Sequence, residues 1–125
     1  RGELEHVEPY LRVKGKFTLE ENFADLLGIM VAYESYKEKM KAPIKPSKID
    51  KLRGFNDEKL FFLIYANTFC EYQNEWTFLD RTENDPHTSA RLRVNGPLSN
   101  MPEFAQAFNC PKGSLLNRDD KCMIW

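Results

Sequence analysis

The chain has 125 residues, 42% hydrophobic and 30% charged, with 18 Lys plus Arg against 19 Asp plus Glu. That length suffices for one domain with a core of its own, and the balance excludes a disordered or fibrous chain. A net charge of -1 with no basic block argues against nucleic-acid binding, and the longest apolar run, residues 26–33, is far short of a bilayer span.

Residues 1–16 read as an extended lead-in. The chain opens on Arg1 with no signal-like apolar region behind it, the pattern of a processed product or a piece of a longer chain. Thr18-Leu19-Glu20-Glu21 has the form of a capping box, in which Thr18 caps a helix and Glu21 reaches back to its amide. The helix runs over residues 19–41, stopped by Pro43 and Pro46. Its first half is apolar nearly all round and predicts burial; its second half turns charged and emerges into water. After a Pro- and Lys-containing connector, Asn56 is the N-cap of a second helix over residues 57–72, with Phe55 and Leu60 placed as a hydrophobic staple. Residues 73–90 read as a long polar loop. Residues 91–94 (Arg91-Leu92-Arg93-Val94) alternate basic and apolar and predict a short extended segment, followed by a turn at Asn95-Gly96-Pro97. A short third helix begins near Asn100, Pro102 and Glu103 and ends by Phe108. The predicted fold is mainly α. Two helices this apolar need more cover than 125 residues supply, which marks the chain as a single partial domain.

Glu21 and Asp25 stand one turn apart on a helix face continued by the small residues Gly28 and Ala32, so a close neighbour is expected there. A buried carboxylate demands a cation or metal. The plainer reading makes Glu21 part of the cap and Asp25 a partner of the helix dipole. His87, in the polar segment, is on its own a solvated side chain, and His6 has no partner. No H-E-x-x-H, G-x-S-x-G, P-loop or G-x-G-x-x-G occurs. Cys70, Cys110 and Cys122 are odd in number and lack C-x-x-C spacing, which excludes a thiolate zinc cluster. They fit a lone thiol or disulfides to partners elsewhere.

The run Thr-Leu-Glu-Glu-Asn-Phe-Ala-Asp over residues 18–25 resembles the signature of the neprilysin-like zinc metallopeptidases, the M13 family. The resemblance continues through residues 60–70 (LFFLIYANTFC), 85–111 (DPHTSARLRVNGPLSNMPEFAQAFNCP) and 121–125 (KCMIW), in the family's order. It implies the C-terminal portion of a catalytic ectodomain, extracellular or on the cell surface, of a zinc metalloendopeptidase that cleaves peptides on the amino side of hydrophobic residues. By resemblance, Glu21 is the third protein ligand of the catalytic zinc and Asp25 holds the imidazole of a zinc-binding His. His87 hydrogen-bonds the developing oxyanion, Asp85 orients His87, Arg93 grips a substrate carbonyl, and Thr68 and Phe69 help line the pocket beyond the scissile bond. The H-E-x-x-H half lies upstream, so this chain alone is expected to be inactive, and Cys70, Cys110 and Cys122 are expected to pair with upstream cysteines. Departures from the family pattern (Glu20 for Gly, Phe23 for Ile, Leu27 for Gly, Phe69 for Trp, Ser89-Ala90 for Pro-Gly) define the alternative, a non-catalytic interaction protein or degenerate paralogue on the same scaffold.

Overall fold

The computed structural model describes residues 13–41 and 56–124, folded into five helices: α1 (Leu19–Met40), α2 (Asp57–Thr68), α3 (Glu75–Asn84), α4 (Ala90–Asn100) and α5 (Pro102–Ala107). The mainly α expectation holds. Helices α1 and α4 pack together, while α5 joins α4 to α2. The third helix of the sequence reading is α5, with Pro102 in its first turn, where the missing N–H costs nothing.

The core is aromatic. Tyr33 of α1 stacks on Phe62 of α2, and the Phe62 ring meets the edge of Phe104 of α5, each pair 5.3 Å between centroids. Phe61, Tyr36 and Phe108 extend the cluster, and Ile29, Leu98 and Met101 close it. Offset and edge-to-face rings add about 0.5–1.5 kcal/mol per pair to the apolar area they bury. The Tyr33 hydroxyl finishes in a hydrogen bond to Glu58 Oε1, so the buried phenol keeps a partner. Asn56 caps α2 as expected, accepting from the Lys59 amide at 2.9 Å; Phe55, the other half of the staple, lies outside the described residues.

Four expectations are corrected. Residues 91–94 are not extended, and no turn follows them: they form the first turns of α4, which continues through Pro97. The proline leaves the Arg93 carbonyl without its helical N–H, and the Tyr65 hydroxyl donates to that oxygen at 2.8 Å instead. The segment 73–90 is not a continuous loop. It holds α3, whose N-cap Asn74 accepts from the Thr77 amide at 2.8 Å; accordingly α2 stops at Thr68, short of residue 72. The first half of α1 is not buried all round. Leu26, Ile29 and Tyr33 form its inner face, whereas Leu19, Phe23 and Val31 are 63, 51 and 51% exposed. Nor does a neighbour press on Gly28: a Cβ built there meets nothing within 4 Å among the described residues, and Ala32 is exposed.

Candidate active-site cluster

The capping box does not form. Thr18 is buried, but its Oγ1 donates to the Lys14 carbonyl (3.4 Å) and accepts from Asn22 Nδ2 (3.1 Å), and makes no cap bond. Asn22 Oδ1 in turn accepts from Thr88 Oγ1 at 3.1 Å, while Lys14 Nζ reaches the backbone and carboxylate of Glu83. This polar ladder ties the start of α1 to the α3–α4 connection. It also releases Glu21 to look across at that connection.

There His87 stands between two carboxylates. Its Nδ1 lies 2.8 Å from Asp85 Oδ1 and its Nε2 lies 3.1 Å from Glu21 Oε2. The backbone amide of His87 also donates to Asp85 Oδ1, at 2.9 Å, a local Asx turn that fixes the ring relative to its own chain. These bonds, the amide first and the ring second, hold the Asp85 carboxyl below the usual carboxylate range, with Arg81 adding its charge from 3.7 Å. A neutral imidazole can donate to one of the two carboxylates. Both contacts are hydrogen bonds only when the ring carries both protons, Nδ1–H going to Asp85 and Nε2–H to Glu21.

One turn along α1, Asp25 meets Arg93 of α4 in a two-pronged pair, Nε to Oδ2 and Nη2 to Oδ1, both 2.7 Å. The Asp25 side chain is only 11% exposed, so the guanidinium is its compensating charge. The pairing keeps Arg93 charged, raising its pKa against the cost of burial. The guanidinium also lies 4.8 Å over the ring of Phe69, just past the end of α2. Thr68 Oγ1 turns back to the Tyr65 carbonyl at 2.7 Å.

An open cleft of about 1400 Å³ runs beside the cluster, with Thr68, Phe69, His87 and Arg93 among its walls and α3 along one side. Glu21 and Asp25 stand outside it, on α1. The seven residues singled out from sequence therefore divide: Glu21, His87 and Asp85 form one polar chain, Asp25 and Arg93 form a separate ion pair that Phe69 joins through Arg93, and Thr68 shares only the cleft with them. Sequence reasoning missed Asn22 and Thr88, which lace the elements together, and Tyr65. The trace of Tyr65 lies in Pro97, which inside a helix leaves the carbonyl four residues earlier, that of Arg93, without its donor.

Among the described residues no three His, Cys, Asp or Glu side chains converge on a point where a metal could sit. Glu21, with its side chain 39% exposed, is suited to supply one carboxylate oxygen to an ion whose other ligands come from elsewhere. The residues present fit a share of a zinc site, not a whole one.

The profile of peptidase family M13 matches residues 3–124. The chain belongs to this family. It is 38% identical to Neprilysin-1 of Caenorhabditis elegans over 116 residues, covering 92% of this chain and 15% of that protein. It is 39% identical to an endothelin-converting enzyme homolog of Locusta migratoria over 113 residues (90% and 15%), and 37% identical to human Endothelin-converting enzyme 1 over 113 residues (90% and 14%). Membership places the chain in a metallopeptidase family, as its resemblance to the neprilysins implied. The chain spans about 15% of the length of the relatives it matches. No described helix is long and apolar enough to cross a membrane.

Proposed function

We propose that this chain is the C-terminal portion of the catalytic ectodomain of a neprilysin-like zinc metalloendopeptidase that cleaves peptides on the amino side of hydrophobic residues. The observation that carries the reading is the convergence of Glu21 and Asp25, one turn apart on α1, with His87 and Arg93 from more than 60 residues further on. Glu21 is the third protein ligand of the zinc, the other two belonging to an H-E-x-x-H helix upstream of this chain. Zinc, when bound, supplies a Lewis acid for the scissile carbonyl and its attacking water. Asp25 orients the imidazole of a zinc-binding His with carboxylate lone pairs left over from Arg93. Asp85 fixes Nδ1 of His87, and with Glu21 turned from Nε2 to the zinc the Nε2–H donates to the oxyanion. Arg93 holds a substrate backbone carbonyl, and Thr68 and Phe69 line the pocket for the residue after the scissile bond. Glu20 is exposed and Leu27 half-buried, and neither keeps Glu21 from His87.

The rest of the polypeptide covers the exposed apolar flank of α1 and supplies cysteine partners for Cys70, Cys110 and Cys122, which are unbonded here. The protein then works outside the cell or at its surface, where such disulfides persist. Alone, this chain offers one zinc ligand and hydrolyses no peptide.

The test is made on the full-length protein, with zinc content, kcat and KM measured on a peptide bearing a hydrophobic residue after the scissile bond. Glu21→Ala is expected to lose zinc and activity together. His87→Ala is expected to keep its zinc and lose roughly 10²–10³ in kcat. Full zinc in Glu21→Ala, or full kcat in His87→Ala, overturns the site; a Cys110–Cys122 bridge found by mass spectrometry of the same protein overturns the disulfide scheme.

A further inference from the structure

We infer that Tyr65 is a positioning residue for Arg93, acting through the backbone carbonyl that Pro97 leaves open in α4. In an α-helix the carbonyl of residue 93 accepts from the amide of residue 97. Here residue 97 is a proline inside the helix and buried, with no N–H to give. The Tyr65 hydroxyl, arriving from α2, occupies that acceptor at 2.8 Å. Burial first, and then the charge of Asp25, push the phenol's pKa well above its ordinary value, so the hydroxyl keeps its proton and remains a donor.

The same side chain touches the other neighbour of Arg93. The Tyr65 ring meets the edge of Phe69 at 5.3 Å, and the face of Phe69 lies 4.8 Å from the Arg93 guanidinium. Arg93 is thus held at three points: its carbonyl by Tyr65, its guanidinium by Asp25, and its cationic face by Phe69. Asp25 and Phe69 hold the guanidinium end of the side chain, and the hydroxyl holds the backbone that carries it. Proline and tyrosine form a matched pair in which one removes a helical donor and the other replaces it from a neighbouring helix. A substrate carbonyl read by Arg93 depends on that placement in both the ground and the transition state.

This inference rests on the role proposed for Arg93, and the test separates the two. In the full-length protein, Tyr65→Phe keeps the ring contacts and deletes the donor. It is expected to raise KM roughly three- to tenfold with kcat within about twofold, because the loss falls on uniform binding. The double variant Tyr65→Phe, Pro97→Ala returns an amide to the Arg93 carbonyl and is expected to bring KM back to within about twofold of the parent. A merely structural tyrosine shows no such rescue. An unchanged KM in Tyr65→Phe beside a raised KM in Arg93→Ala overturns the inference alone, as does a raised KM that Pro97→Ala fails to restore. An unchanged KM in Arg93→Ala overturns the role of Arg93 and this inference with it.

Discussion

Helix α1 serves two regions built on different physics. On one side Ile29 and Tyr33 enter an aromatic core with Phe62 and Phe104, where contact area does the stabilising and the partners are many. Nearer its start, Glu21 and Asp25 enter a charged cluster in which each group has one or two partners at 2.7–3.1 Å. Helix α4 repeats the division, with Leu98 in the core and Arg93 in the cluster. The difference teaches where precision resides. In the core the loss scales with the packed volume removed, summed over many weak contacts, whereas in the cluster it is set by whether the one remaining charge keeps a partner.

That comparison fails or sharpens on substitutions taken one from each region. The largest expected effect on stability is in the core: Phe62→Ala, at a side chain 1% exposed, should cost about 3–5 kcal/mol in urea unfolding of the full-length protein. Arg93→Ala should cost less, about 1–3 kcal/mol, because Arg93 is itself partly solvated and the penalty is that of the stranded Asp25 carboxylate. Adding Asp25→Asn to it should recover part of that loss. Equal costs for Phe62→Ala and Arg93→Ala, or no recovery in the double variant, break the comparison.

The smallest effect is one of pH. Asp85 has its carboxyl pKa lowered by the His87 amide and ring, so its contribution is in full force above the unfolded carboxylate pKa, about 4. It is lost as pH falls through the depressed folded value. Asp85→Asn should flatten the acid limb of a plot of melting temperature against pH and change little near neutrality beyond a constant offset. An acid limb as steep as the parent's contradicts this origin.

The parts of the fold legible in the sequence are those whose signals are local and agree with one another. Asn56 ahead of an apolar run marks the start of α2, and Pro102 marks the start of α5. Helix α4 was illegible because its own residues argue against it. Asn95-Gly96-Pro97 is turn chemistry, overridden where a hydroxyl from 28 positions earlier serves the Arg93 carbonyl. Helix α3 was missed for a different reason: Trp76 stands 82% exposed, no residue of the helix is fully buried, and only Trp76, Phe78 and Leu79 of its ten residues are apolar. In the site, spacing on α1 singled out Glu21 and Asp25 but left the plainer capping reading open, and only the family resemblance gave them roles. What could not be read was the fate of Thr18, whose side chain bonds that of Asn22 and makes no cap bond, since Asn22 is in turn engaged by Thr88 of the α3–α4 connection, 66 positions further on.

The long reach of the charged pairs also bears on the order in which the molecule assembles. Asp25 and Arg93 are 68 residues apart, whereas Tyr33 and Glu58 beside the core are 25 apart. Closing the longer loop costs only about 0.9 kcal/mol more, so chain entropy alone separates the two events little. The gain side separates them. A collapsing chain is rewarded for apolar contacts before their geometry is final, while the fork between Asp25 and Arg93 returns little until both oxygens and both nitrogens are in register. The aromatic core is therefore expected to form on the uphill side of the folding barrier and the cluster on the downhill side. Phe62→Ala should slow refolding, and Arg93→Ala should mainly hasten unfolding. Stopped-flow measurements that find the reverse would show that the cluster nucleates the fold.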